Sequence, residues 1–143
     1  MAPVLYLKGL EIALRAVLNI ATAPVGTVKL AYMTVAFTPN AGTQQFFSDI
    51  SASVAAGAPT ETLTGLTVTI DTVNARVEVD ATDVTEPNIT TITNKFVLYV
   101  DTGVASTSPL IGCFAIVEGT LSPIAGTLAL AFNAEGIFAL NDN

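Results

Sequence analysis

The stretch FVLYV at residues 96–100 decides the fold class of this chain. Every position carries an apolar side chain, so a strand formed here needs cover on both faces, as a central strand does. A second apolar run, LIGCFAIV at residues 110–117, has the same character. Both runs predict central strands of a β-rich domain.

Outside these runs, apolar and polar residues alternate with a period of two. The segments LTVTID at 66–71 and RVEVD at 76–80 predict two half-buried strands, joined as a hairpin through TVNA at 72–75. No crossover helices separate the predicted strands, which argues against a parallel sheet. The chain is therefore predicted to be mainly β, with a single antiparallel β-sandwich of about seven or eight strands.

The N-terminal segment has a helical period instead. Leucines at positions 7, 10, 14 and 18, together with Val17, recur at three- and four-residue spacing. This pattern predicts a short amphipathic helix at about residues 5–19, whose apolar stripe packs on the domain's own core. The alternative is an arm that grips a neighbouring subunit. With 143 residues, the whole chain 1–143 suits one domain.

The chain carries few charges for its size. Hydrophobic residues make up 51% and charged residues 12%, whereas an average soluble domain has about 25% charged residues. This favours an outer surface that is partly apolar and covered by self-assembly or by a larger particle. The alternative is a surface solvated by threonine, serine and asparagine.

The net charge of −7, with five scattered basic residues, argues against direct binding of nucleic acid or of an anionic membrane. No apolar run reaches the ~18 uncharged residues of a membrane-spanning helix. The charges near the N-terminus lie inside the apolar region, unlike those of a signal peptide. The sequence therefore predicts a mature protein that is made in the cytosol and has no export signal.

Side chains that commonly take part in catalysis or cofactor binding are scarce. The chain has no histidine and one cysteine, Cys113, inside the apolar run 110–117, where it is predicted to be a small buried hydrophobe. No glycine-rich phosphate loop occurs. These features predict a protein that is not an enzyme and has no cofactor.

Carboxylates remain as candidate metal ligands. Glu78, Asp80, Asp83 and Glu86 follow one another near the end of a predicted strand. Asp80 and Asp83 are weak candidates for calcium, which prefers several oxygens on a bent loop. The alternative is a solvated turn that binds no metal.

Short motifs follow one another along nearly the whole chain. They are LYLKGL at 5–10, VKL at 28–30, FFSDI at 46–50, LTG at 63–65, VLYVDTG at 97–103, STSPLI at 106–111 and the closing segment 126–140. In the order of these motifs, the chain resembles a group of small virion proteins of tailed bacteriophages. The chain departs from the group at 80–93 and at FNAE, residues 132–135, where the group often has a tryptophan.

The resemblance implies a capsid decoration or cement protein on the surface of the phage head. Its partners would be the major capsid protein and further copies of itself, in a homo-oligomer such as a trimer. One alternative is a component of the tail, neck or a head fibre. Another, of a different class, is a carbohydrate- or calcium-binding β-sandwich module.

Stretches of low charge are the predicted partner interface. They are the N-terminal segment and the small-residue loop 51–59. The residues chosen from them are Pro3, Leu5, Tyr6, Ala55 and Pro59.

Overall fold

The apolar stretch around residue 98 lies in the central strand of an antiparallel sheet. The computed structural model describes residues 3–18, 25–58, 60–116, 120, 126–132 and 136–141. Its elements in chain order are β1 (Val4–Leu5), α1 (Leu7–Val17), β2 (Thr27–Thr34), β3 (Glu61–Thr62), β4 (Thr67–Asp71), β5 (Arg76–Asp80), β6 (Val84–Ile89), β7 (Thr93–Asp101), β8 (Leu110–Ala115), β9 (Gly126–Leu130) and β10 (Phe138–Asn141). Short 3-10 helices span Phe47–Asp49, Ser51–Ser53 and Ala105–Thr107.

Five strands form the main sheet, in the order β1-β8-β7-β2-β3. All neighbours are antiparallel, and β2 and β7 pair along their whole length, from Thr27 opposite Asp101 to Thr34 opposite Thr93. The predicted central position of β7 is confirmed. The run at 110–117 lies beside it as β8, although residues 117–119 fall outside the described part of the chain.

Both faces of the main sheet are buried. On one face, Leu30, Phe96 and Leu98 share a cluster with Val84 of β6 and Leu130 of β9. The other face is covered by the N-terminal segment and the loops that follow β2, and its buried residues are Tyr6, Ala31, Met33, Phe37, Ile50, Val97, Tyr99, Leu110 and Cys113. This double cover explains why the chain is apolar at every position of residues 96–100.

The second face also contains a buried cation. Lys95 lies in β7 and is largely buried. Its Nζ donates to the carbonyl oxygens of Val35 and Phe37, at 3.1 and 2.9 Å. These charge-assisted hydrogen bonds satisfy the ammonium group and hold the turn after β2 against the sheet.

The remaining strands form two smaller sheets, β10-β5-β4 and β6-β9. The predicted hairpin is present: β4 pairs with β5 from Thr67 opposite Asp80 to Asp71 opposite Arg76. In its turn, Ala75 has φ of 51°, and the Asp71 carboxylate accepts the backbone N–H groups of Val73 and Asn74.

The mainly β class, the antiparallel sheets and the N-terminal helix are confirmed. A single sandwich of seven or eight strands is not confirmed, since the described residues contain ten strands in three separate sheets. The helix begins at Leu7 rather than near residue 5. The reason is that Val4 and Leu5 pair with Cys113 and Gly112 as strand β1.

Candidate functional site

The apolar stripe of α1 faces solvent. We call Leu7, Leu10, Leu14 and Leu18 the leucine stripe, and their side chains are exposed by 60%, 37%, 63% and 64%. The prediction that these leucines pack on the domain's own core is therefore wrong. Leucines spaced in this way are common on helices, but a contiguous exposed row of them typically marks a surface that another molecule covers.

Gly9 explains why the helix is oriented this way. It lies on the side of α1 opposite the leucine stripe, facing β8, and a Cβ atom at Gly9 would lie 2.7 Å from the carbonyl oxygen of Leu110. The close approach of the two backbones is possible only because Gly9 has no side chain. Packing the helix by this side leaves the leucine stripe outside.

Ion pairs stabilise the flank of the helix. Glu11 binds Lys8 and Arg15 through separate carboxylate oxygens, with N–O distances of 2.8 Å each. Both partners lie at the three- and four-residue spacings that bring side chains together on a helix. These hydrogen bonds hold the pKa of Glu11 below its usual range.

A second apolar surface lies on the sheet β10-β5-β4. The register places Val68, Ile70, Val77, Val79, Phe138 and Leu140 on one face. At one end, the ring of Phe138 stacks on Phe114 at 5.2 Å and joins the core. The rest of this face is uncovered, both at Val68 in the edge strand β4 and at Ile70 and Leu140 in the next row of the register. We call these three residues the open sheet end, since they are exposed by 70%, 77% and 42%.

The sequence predicted that β4 is a half-buried strand, but the structure shows that most of β4 is exposed. A shallow groove of about 510 Å³ lies there, lined in part by Ile70, Val77 and Leu140. Alternation of apolar and polar residues identified the apolar face of the hairpin, but nothing in the described part of the chain covers this end of it.

Of the five residues predicted to contact a partner, four lie in the described part of the chain, and two of these are buried. Pro3 is exposed and Leu5 is half-buried. Tyr6 and Ala55 are 0% and 2% exposed, which does not agree with a role in contacting a partner. Tyr6 packs under the main sheet, and the N–H of Ala55 donates to the carbonyl of Tyr32. Pro59 lies outside the described residues.

The predicted calcium ligands each bind a backbone group. The Asp80 carboxylate accepts the N–H of Ala81, and the Asp83 carboxylate accepts the N–H of Phe132, both at 2.8 Å. Among the described residues, no group of three or more histidine, cysteine, aspartate or glutamate side chains is arranged to hold a metal ion.

Cys113 is buried and free, as predicted. Burial raises the pKa of its thiol to about 11. The thiol therefore stays protonated at neutral pH and acts as a small apolar side chain. No helix in the described ranges is long and apolar enough to cross a membrane.

Glu86 is more deeply buried than the carboxylates near it in sequence, Glu78, Asp80 and Asp83. Glu86 is only 5% exposed, rather than part of a solvated turn. Burial, followed by a hydrogen bond and repulsion from Glu61, raises the pKa of Glu86 to about 7. Glu86 follows Val84 by two residues in β6, so both side chains lie on the same face of the strand. Because Val84 is buried, this spacing is the signal in the sequence that could have indicated the burial of Glu86.

This shift predicts that stability falls as pH rises towards 7. The pKa of Glu86 in the folded chain lies above its ordinary value of about 4.5, so the stabilisation is complete below that value and is lost as pH rises through 7. In a buffer with chelator, we expect the free energy of unfolding to be about 1–3 kcal/mol higher at pH 5.5 than at pH 8. Asp49 and Asp101 have lowered pKa values and lose their contributions only in more acid solution.

Urea denaturation at several pH values measures this effect. In Glu86→Gln the difference between pH 5.5 and pH 8 should disappear, because the side chain stays neutral. Glu78→Gln is the matched control, since Glu78 binds Arg76 and should leave the pH dependence unchanged. Equal pH profiles for the wild type and Glu86→Gln would contradict the assignment.

The sequence matches no known protein family model, and neither a curated protein nor a solved structure shows a significant match.

Proposed function

We propose that the chain is a structural protein of a tailed-phage virion, a cement protein that stabilises the head by bridging major capsid subunits. The observation that carries this proposal is the exposed leucine stripe, with the open sheet end as a second surface of the same kind. The resemblance of the short motifs to those of small virion proteins is the reason for proposing a phage head as the particle to which the chain binds.

The leucine stripe supports a role through contact rather than catalysis. Complete burial of one leucine side chain contributes about 1.5–3 kcal/mol, so four partly exposed leucines offer a substantial driving force before association costs. Many copies bound to one capsid lattice would add avidity without new contacts.

The fold supports the same role mechanically. The main sheet is buried on both faces, and buried residues of β6 and β9 share a cluster with one of them. We infer that the three sheets act as layers of one sandwich. Such a body holds α1 and the open sheet end in fixed positions, which lowers the entropic cost of docking.

Imaging the particle and counting copies test the proposal. A cement protein should give density on the outside of the head and hundreds of copies per particle by quantitative mass spectrometry. Heads assembled without it should lose DNA at lower temperature. Six or twelve copies at the neck or tail would favour the alternative location, and particles without any copies would refute a virion role.

A further inference from the structure

The hydroxyl of Tyr32 has no hydrogen-bond partner among the described residues. Tyr32 is fully buried in β2, and no donor or acceptor in the described part of the chain pairs with its Oη. A buried polar atom left unpaired destabilises the folded state. Such atoms in folded proteins often bind a water or an ion that the protein surrounds.

Two carboxyl groups lie on the same side of the main sheet. Leu30 of β2 is opposite Glu61 of β3, so Glu61 is a diagonal neighbour of Tyr32 on the same face. Glu86 projects towards this face from β6, whose Val84 belongs to the same cluster. Burial and the charges of Glu86 and Glu61 raise the pKa of Tyr32 to about 12, so its hydroxyl stays protonated.

The charges near Tyr32 are not neutralised by a basic side chain. All five basic residues lie in the described part of the chain. Lys8 and Arg15 bind Glu11, Lys29 binds Asp101, Arg76 binds Asp71 and Glu78, and Lys95 binds backbone carbonyls. A side-chain hydrogen bond joins Glu86 to Glu61. Two carboxyl groups this close together need a proton or a metal cation between them.

We propose that Glu61, Glu86 and Tyr32 form a binding site for a divalent cation of the calcium type, between β3 and β6. The carboxylates supply ligand oxygens, and the Tyr32 hydroxyl bonds to a water bound to the ion. Calcium accepts this set because it takes six to eight oxygens in flexible geometry, with water completing the shell. Glu61 is half-buried, which provides a route from solvent.

This site is distinct from the sequence-predicted pair Asp80 and Asp83, and it does not depend on the virion role. With only two carboxylates, we expect a dissociation constant of about 10⁻⁴–10⁻³ M. Affinity should rise with pH, because carboxyl groups bind calcium in their deprotonated form.

Thermal unfolding at pH 8 with chelator-treated protein is the first test. Adding 10 mM CaCl₂ should raise the Tm by about 3–6 °C. The rise should be absent in Glu86→Gln and retained in Asp80→Asn, which removes the same charge elsewhere. No rise in the wild type would overturn the proposal and show that the pair holds only a shared proton. A rise kept in Glu86→Gln, or lost in Asp80→Asn, would also overturn it.

Terbium luminescence is the second test and does not require a charge change. Tb³⁺ binds calcium sites and emits when a nearby tyrosine absorbs light. Tyr32→Phe removes an unpaired hydroxyl and should therefore fold at least as stably as the wild type. Its tyrosine-sensitised emission should fall strongly, while Tyr6→Phe should leave emission unchanged. Emission that is independent of Tyr32, or not displaced by CaCl₂, would overturn the site.

Discussion

Under the proposed cement role, replacing Leu7 and Leu14 together by glutamate is expected to weaken binding to the capsid by about 100-fold or more. Central apolar residues of an interface cost about 2–4 kcal/mol each when they are lost, and each 1.4 kcal/mol corresponds to a factor of ten in affinity. Two charges placed in the leucine stripe also add a desolvation penalty. Co-sedimentation with heads assembled without the protein measures the affinity.

The fold itself should not change in this variant. Both leucines face solvent, and surface substitutions usually alter stability by no more than about 0.5 kcal/mol. Glutamate is also a good helix former. A normal circular-dichroism spectrum and Tm would therefore assign the lost binding to the surface and not to unfolding.

Val104→Glu is the matched control for the double variant. Val104 is a similarly exposed apolar residue in the loop after β7, remote in sequence from α1. It should bind heads like the wild type. Full binding by the leucine variant would refute the leucine stripe as the docking surface, and equal loss in both variants would indicate a general effect of charge.

Leu98→Ala should lower the free energy of unfolding by about 3–5 kcal/mol. Leu98 lies in the central strand β7 and is almost completely buried, in a cluster that joins the main sheet to β6 and β9. Truncation removes the transfer free energy of the lost methyl groups and leaves a cavity that the neighbouring strands cannot close. This loss is a large part of the roughly 5–15 kcal/mol that stabilises a typical domain.

Ile70→Ala is the control for Leu98→Ala. It removes a similar volume from the open sheet end, where the side chain is mostly exposed, so the expected loss is about 1 kcal/mol or less. Urea denaturation with a constant m-value compares the two. Equal losses would show that the open sheet end is covered in solution.

Local periodicity predicted the elements with strong patterns. The apolar stretch 96–100 became the central strand, and the segments 66–71 and 76–80 became the hairpin β4-β5. These predictions succeed because strand and helix periods depend on neighbours along the chain. The division of the strands into three sheets depends on pairing between strands that are distant in the chain, such as β10 with β5. Local periodicity cannot predict such pairing.

The candidate site was predicted only in part. Low charge indicated a surface that a partner covers, but the residues chosen from it included the buried Tyr6 and Ala55. The leucine stripe was visible as a pattern, yet a pattern does not say whether an apolar face turns inward. The Tyr32, Glu61 and Glu86 cluster was missed, because its members come from three separate strands.

The sequence alone therefore determined that this chain is mainly β, has an amphipathic N-terminal helix and lacks histidine and a second cysteine. Only the tertiary structure decided which apolar faces remain exposed. The physical reason lies in close packing: Gly9 lets the helix backbone approach β8, so the leucines turn outward. In the same way, the packing of β6 over the main sheet buries Glu86, because a residue's burial depends on elements far away in the chain.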